Sequence, residues 1–253
     1  MIVIKVGGNE LDDGDFLGAF ARAVAALPER PVIVHGGGRG TTRLMERLGL
    51  EARFIEGQRV TDAQTLELTV MGLVGQASTQ LVQALVNAGL PALGLSGVDA
   101  GFVVAEKTKV AGGDLGAVGR PVAVRVERLR ALLDAGFVPC LAPVSHSQEG
   151  MLLNVNADYV AQAVAAALGA EMLVLLTNVP AVMIRGERVA VLTPQQVETE
   201  IESGEISGGM IPKTRGAVEA VGAGVRRALI TDITGLHALA RGEQAGTAII
   251  SNG

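Results

Sequence analysis

The stretch MIVIKVGG, residues 1–8, and its echo PVIVHGGG, residues 31–38, decide the fold. Each is a short β-branched run closed by glycines. β-Branched side chains favour a pleated, half-buried strand, and the glycines end it in a turn. Between the two runs, residues 15–27 carry apolar side chains at helical spacing, with Asp13 and Asp15 available as caps. After the second run, residues 41–48 place Leu44, Met45 and Leu48 on one helical face. Strand, helix, strand, helix is the rhythm of a parallel sheet built by right-handed crossovers.

The same alternation continues along the chain. The pattern predicts a helix over 62–88, a strand over 92–95 and a turn over 96–101. Residues 121–124 are another apolar piece, 126–135 a helix ending near Gly136, and 138–142 a strand. A helix over 156–168 stops at Gly169, a residue suited to a left-handed cap. Residues 172–176, MLVLL, are apolar throughout, as in a parallel strand buried on both faces. A helix over 211–223 and strands over 227–231 and 247–250 complete the reading. The fold class is therefore α/β, a mainly parallel sheet covered by helices. No repeat or low-complexity linker interrupts it. A soft boundary near Gly169 divides it into lobes 1–169 and 170–253.

Composition removes other classes. Hydrophobic residues are 49% of the 253 and charged residues 19%, which excludes a disordered chain. A net charge of −5 and 2% aromatics offer neither the positive field nor the stacking platforms of a nucleic-acid binder. The one cysteine, Cys140, fits a reducing cytosol, and three histidines with one cysteine make a poor zinc set. The N-terminus lacks a signal-peptide pattern, and the most apolar region, 161–176, is too short to span a bilayer. The expected localisation is cytoplasmic, with no membrane partner.

Three glycine clusters sit where an open α/β sheet binds ligands, at the carboxyl ends of strands: Lys5-Val6-Gly7-Gly8, His35-Gly36-Gly37-Gly38 and Gly208-Gly209-Met210-Ile211-Pro212-Lys213. Glycines there let backbone N–H groups approach phosphate oxygens, and a helix start adds a favourable dipole. Read singly, each is also an ordinary strand-to-helix turn. No P-loop, GxGxxG, GxSxG or HExxH spacing is present. Lysine is scarce: four lysines stand against seventeen arginines. Lys5 lies inside an apolar strand, either snorkelling at a sheet rim or serving as a cation for transferred phosphate. Lys213 opens a helix, where the dipole disfavours a structural cation. Asn156 and Asp158 read as a helix cap and first-turn acid, or as a fixed anion orienting the lysines, with Asn154 donating its amide to substrate. Arg59 is a solvated side chain or a bidentate carboxylate clamp. His35 reads as a turn histidine rather than a base, and Cys140 as inert core.

Ten motifs in order, VIKVGG (3–8), VHGGG (34–38), GQRVTD (57–62), GLSGVD (94–99), GDLGAVG (113–119), PCLAPV (139–144), NVNAD (154–158), LLTNVP (175–180), GGMIPK (208–213) and GTAI (246–249), resemble the amino acid kinase superfamily. Within it they are most similar to the branch that phosphorylates N-acetyl-L-glutamate in arginine biosynthesis. The resemblance implies a three-layer αβα sandwich, with an N-terminal lobe for the acyl amino acid and for dimerisation and a C-terminal lobe for ATP. It implies transfer of the γ-phosphoryl group to a side-chain carboxylate. The implied catalytic residues are Lys5, Lys213 and Asp158. Gly37, Gly38, Arg59 and Asn154 would bind the acceptor. Gly7, Gly8, Thr177, Asn178, Gly209, Met210 and Lys213 would bind the nucleotide. Mg²⁺ would be held mainly by the phosphates, with no protein metal site.

The departures from the pattern carry expectations too. The chain opens on its first strand, without the upstream helix of arginine-inhibited hexamers, so the expectation is an arginine-insensitive homodimer joined through helix 62–88. Thr177-Asn178-Val179-Pro180-Ala181 replaces the TDVxG of the nucleotide loop, Ser78-Thr79 replaces Asn-Lys, and Arg39 replaces a proline. An alternative acceptor is 2-aminoadipate or glutamate linked to an acidic carrier protein, for which Arg39, Arg43, Arg47 and Arg53 would supply a basic rim. A non-catalytic sensing module on the same fold is the other alternative, and intact Lys5, Asp158 and Lys213 argue against it.

Overall fold

The computed structural model describes residues 1–8 and 10–251. The chain opens on β1 (Ile2–Val6), passes a 3-10 turn (Glu10–Asp12) into α1 (Gly14–Ala25), and returns as β2 (Val32–His35) and α2 (Gly38–Arg47). A hairpin of β3 (Phe54–Ile55) and β4 (Gln58–Arg59) leads to α3 (Ala63–Val70), a π-helical segment (Met71–Ala77) and α4 (Ser78–Asn87). Then come β5 (Ala92–Ser96), β6 (Val103–Lys107), β7 (Val118–Val124), α5 (Val126–Asp134), β8 (Val138–Ala142), β9 (Val144–His146), β10 (Leu152–Val155) and α6 (Ala157–Leu168). The last third holds β11 (Met172–Leu176), the two-residue strands β12 (Met183–Ile184), β13 (Glu187–Arg188) and β14 (Val191–Leu192), then α7 (Pro194–Glu202), α8 (Met210–Gly222), β15 (Arg227–Thr231), α9 (Ile233–Ala240) and β16 (Thr247–Ile250).

Eight strands form one sheet in the order β14-β16-β15-β11-β1-β2-β8-β5. All neighbours are parallel except β15 and β16. The alternation of β1 assigns its faces. Ile2, Ile4 and Val6 join the core under α1, α4 and α9, while Val3 joins the core under α6, α7 and α8. Val3, Ile4 and Val6 are fully buried, each worth about 1.5–3 kcal/mol relative to exposure. Helices therefore cover both faces, as the αβα sandwich requires. Lys5 follows Val3 on the α6 side, at the carboxyl end of a central strand. A second set of strands, β10-β7-β6-β9, pairs in a closed ring and joins the α6-side core through Val103, Ala105 and Leu153.

Local signals account for the helix ends. Asp13 caps α1 by accepting from Asp15 N at 2.9 Å, Asn156 caps α6 by accepting from Asp158 N at 2.8 Å, and Gly169 closes α6 with φ 62°. Four departures from the sequence reading stand out. The helix expected over 62–88 runs 63–87 but widens into a π segment at Met71–Ala77. That segment carries Gly72, and a Cβ there would sit 2.7 Å from Thr41 Oγ1, so the glycine admits α2. The piece at 121–124 is only the end of β7, whose antiparallel partner β6 was unread because it ends in exposed Glu106 and Lys107. Helix α7 was missed although Thr193 and Gln196 form a full capping box. Helix α9 was missed because Gly235 and its β-branched start blur the helical pattern. No helix among the described residues is long and apolar enough to cross a membrane.

Candidate active site

Two glycine turns meet at the carboxyl ends of β1 and β2. A Cβ on Gly8 would overlap the Gly37 backbone nitrogen, and one on Gly36 would lie 3.0 Å from Gly8 N. The turns thus pack backbone against backbone, which only glycines allow. Gly36 N donates to Val6 O at 3.0 Å and fixes their register. Gly37 is the N-cap of α2 and supplies no side-chain cap, so first-turn N–H groups stay available. On the other side, a Cβ on Gly37 would be 2.6 Å from Leu73 Cδ2, in the π segment.

These turns line a cleft of about 240 Å³. Lys5, Gly7, Gly8, Gly37, Gly38, Arg59, Asn154 and Asp158 are all on its wall. Lys5 Nζ meets Asp158 Oδ1 at 3.0 Å, with the lysine side chain only 16% exposed. Asp158 lies in the first turn of α6, where the dipole favours an acid. The ammonium is therefore held by a fixed anion beside the two glycine turns.

Lys213 stands in the first turns of α8, half-buried, and makes no ion pair among the described residues. Burial lowers its pKa first and the charge of Lys5 lowers it further, against weaker pulls from Glu10 and Asp158. Two cations repelling each other across this space would be relieved by a bound polyanion. The turn before α8 fits such an anion. Gly208 takes φ 55°, and Gly209 is an N-cap without a side-chain bond. Among the described residues no cluster of three His, Cys, Asp or Glu is placed to hold a metal.

Arg59 is buried, not solvated. Its Nη2 donates to Gly38 O at 2.9 Å and Thr42 Oγ1 at 2.7 Å, Nη1 lies 3.3 Å from Met45 Sδ, and the guanidinium covers the Phe54 ring at 4.8 Å. Both Nη2 protons are thus spent inside the protein. Either bidentate edge of the guanidinium includes Nη2, so a carboxylate clamp would require the side chain to turn. Burial holds its pKa below the usual arginine value. Asn154 Nδ2 donates to Thr61 Oγ1 at 3.1 Å, so one of its two amide protons already has a partner. Thr61 is not the N-cap of α3. Asp62 fills that place by accepting from Thr65 N at 2.8 Å.

The remaining expected residues lie off this cleft. Thr177 spends its hydroxyl on its own turn, accepting from Val179 N at 2.9 Å, and Asn178 is exposed. Thr177, Asn178, Gly209, Met210 and Lys213 are not on the cleft wall, though Thr177 N donates to Thr231 O at the end of β15. The cleft walls also include Phe54, Thr69, Leu73, Val118 and Pro143. Sequence reading missed these because apolar and hydroxyl residues carry no motif chemistry. His35 is fully buried, with Nδ1 2.9 Å from Gly36 O, and burial lowers its pKa to about 4. It is a neutral brace under the glycine turn and not a base. Cys140 is buried, and burial pushes its thiol pKa up, as expected of inert core.

A family model described as the amino acid kinase family matches residues 1–232. The acetylglutamate kinase of Roseiflexus sp. (strain RS-1) is 52% identical over 235 residues, 93% of this chain and 90% of that protein. The acetylglutamate kinase of Roseiflexus castenholzii (strain DSM 13941 / HLO8) is 49% identical over 252 residues, covering 100% of this chain and 95% of that protein. Among solved structures, smu.665 from Streptococcus mutans UA159 superposes with a TM-score of 0.80 at 33% identity, covering 98% of each chain. With its sandwich fold and its paired glycine turns, this chain belongs to the amino acid kinase family.

Proposed function

We propose that the protein transfers the γ-phosphoryl group of ATP to the side-chain carboxylate of N-acetyl-L-glutamate, giving N-acetyl-L-glutamyl 5-phosphate for arginine biosynthesis. The observation that carries this reading is the Lys5–Asp158 pair at 3.0 Å beside the Gly8 and Gly37 turns, with Lys213, which has no ion pair among the described residues, close enough to feel the charge of Lys5. The acetylglutamate kinase names of the two curated relatives support it.

The acceptor carboxylate is ionised at neutral pH, so the reaction needs no general base. This agrees with a cleft whose nearest histidine is buried and neutral. An oxygen of that carboxylate attacks the γ-phosphorus, and the bond to the β–γ bridging oxygen breaks as ADP leaves. Such a transfer depends on positioning and charge neutralisation. Lys5 steadies the equatorial oxygens from the acceptor side, and Lys213 neutralises charge from the nucleotide side. Backbone N–H groups of Gly8, Gly37 and Gly38 cradle the moving group and the acceptor. Asp158 holds Lys5 in one rotamer. Arg59 and Asn154 bind the α-carboxylate and acylamino end of the acceptor. Gly7, Thr177, Asn178, Gly209 and Met210 border the nucleotide. Mg²⁺ entering with the nucleotide would supply further charge neutralisation.

In this reading residues 1–169 take the acceptor and residues 170–253, of which the last two lie outside the described residues, take the nucleotide. The protein works in the cytosol as a homodimer joined through the helical run 63–87, whose Met71 and Val86 are exposed. ADP release measured with a coupled assay tests the function. N-acetyl-L-glutamate is expected to support turnover that free glutamate does not. Turnover with only a carrier-linked 2-aminoadipate or glutamate would move the assignment to that acceptor. The absence of turnover with either would leave a sensing module.

A further inference from the structure

Resting on the acceptor reading above, we propose that Thr61 is a positioning residue of the transfer, fixing the amide of Asn154 so that its carbonyl oxygen meets the acceptor. Thr61 is fully buried. Its hydroxyl donates to Arg59 O at 2.8 Å and takes a hydrogen bond from Asn154 Nδ2 at 3.1 Å. A threonine hydroxyl has one proton. With that proton on the Arg59 carbonyl, the side-chain atom facing the hydroxyl must be a donor, and so it is the amide nitrogen. Asn154 is on the cleft wall, and its Oδ1 has no partner among the described residues. The cleft is therefore offered an acceptor oxygen, the complement of an N–H group such as that of an acylated amine.

The backbone holds this arrangement. Thr61 N donates to Leu115 O at 2.8 Å, Ala117 N donates to Thr61 O at 2.6 Å, and Asn154 N donates to Ala117 O at 2.9 Å. Residues 115–117 thus clamp Thr61 to β10. Gly116 lets them come this close: it takes φ 71°, and a Cβ there would overlap Thr61 O. The hydroxyl ties the backbone of one acceptor-binding residue to the side chain of another. Removing it frees the Asn154 amide to turn over.

Thr61→Val keeps the shape and removes the hydroxyl. It should raise KM for N-acetyl-L-glutamate about tenfold, the effect of one buried hydrogen bond, and leave KM for ATP nearly unchanged. Thr61→Ser should restore KM, and in an Asn154→Ala background Thr61→Val should add nothing. Equal rises in both KM values, or full additivity with Asn154→Ala, would overturn the role. If the valine variant does not fold, the unaltered chain still decides. Its Asn154 side-chain amide should show one displaced, slowly exchanging proton by NMR, and a rapidly averaging pair overturns the proposal. An unaltered chain that fails to turn over N-acetyl-L-glutamate would overturn the functional reading and this role with it. Turnover in the unaltered chain combined with an unselective Thr61→Val overturns the positioning role alone.

Discussion

Lys5 and Lys213 show how far a single residue can be read. Strict alternation in IVIKV places Lys5 on the face opposite Ile4 and Val6, and the packing of β1 agrees. A lysine at a helix start runs against the dipole, and Lys213 lies there without an ion pair among the described residues. Asp158 read from sequence as a first-turn acid or as an anion orienting the lysines, and the tertiary meeting of β1 and α6 pairs it with Lys5 at 3.0 Å. Removing either lysine should lower kcat on the order of 10²-fold or more, the scale for losing one preorganised electrostatic group. Circular dichroism should show the fold retained, and an unchanged kcat would remove that lysine from the mechanism. His35 makes a separate prediction. Its pKa is about 4 in the folded chain, against about 6.5 unfolded. Above pH 6.5 both states are neutral and nothing is lost. Between pH 6.5 and 4 only the unfolded state takes the proton, so stability falls by about 3 kcal/mol and then levels off. Urea midpoints at pH 7 and 4.5 should therefore drop further for the unaltered protein than for His35→Gln. Equal drops would show that the buried imidazole titrates normally.

At the scale of elements, the edge strand β14 aside, seven of the eight strands of the central sheet were legible, each a short apolar run with glycine or proline close by. The two-residue strands β3, β4 and β12–β14 were not, since so short a segment has no period. The π segment was equally hidden: residues 71–77 continue the helical run, and the close approach of Gly72 to Thr41 of α2 exists only in the tertiary fold. The glycine turns of the cleft were placed correctly by sequence, but their mutual contact was not, because it depends on how β1 lies beside β2. That contact can be tested. Gly8→Ala would drive a methyl group into the Gly37 backbone. Separating the two turns by even about 1 Å should cost on the order of 10²-fold in kcat/KM. Gly14→Ala, at a position with nothing within 4 Å of the new methyl, should leave kcat/KM unchanged. Equal activity of the two variants would show that the turns tolerate separation.

The whole molecule brings one cation on β1, one on α8 and two glycine turns to the same end of a parallel sheet, with helices closing both faces. The αβα architecture was legible from the alternation of strand and helix, while the ring β10-β7-β6-β9 was not, because the pairs that close it, β7 with β10 and β6 with β9, join segments separated by α5 and β8. The proposed dimer contact uses the outer helical run, where Met71 and Val86 are exposed. Light scattering should give a dimer, which Met71→Glu should weaken, and a monomer at all concentrations would contradict the proposed contact. Phosphoryl transfer to a carboxylate beside Lys5 is the central claim. Its most direct test is to follow γ-labelled phosphate from ATP in the presence of N-acetyl-L-glutamate. The predicted result is a labelled acyl phosphate, formed one for one with ADP and converted by hydroxylamine to a hydroxamate, with transfer at least about 10²-fold slower in Lys5→Ala. Label released only as inorganic phosphate, or transfer by Lys5→Ala at the unaltered rate, would contradict it.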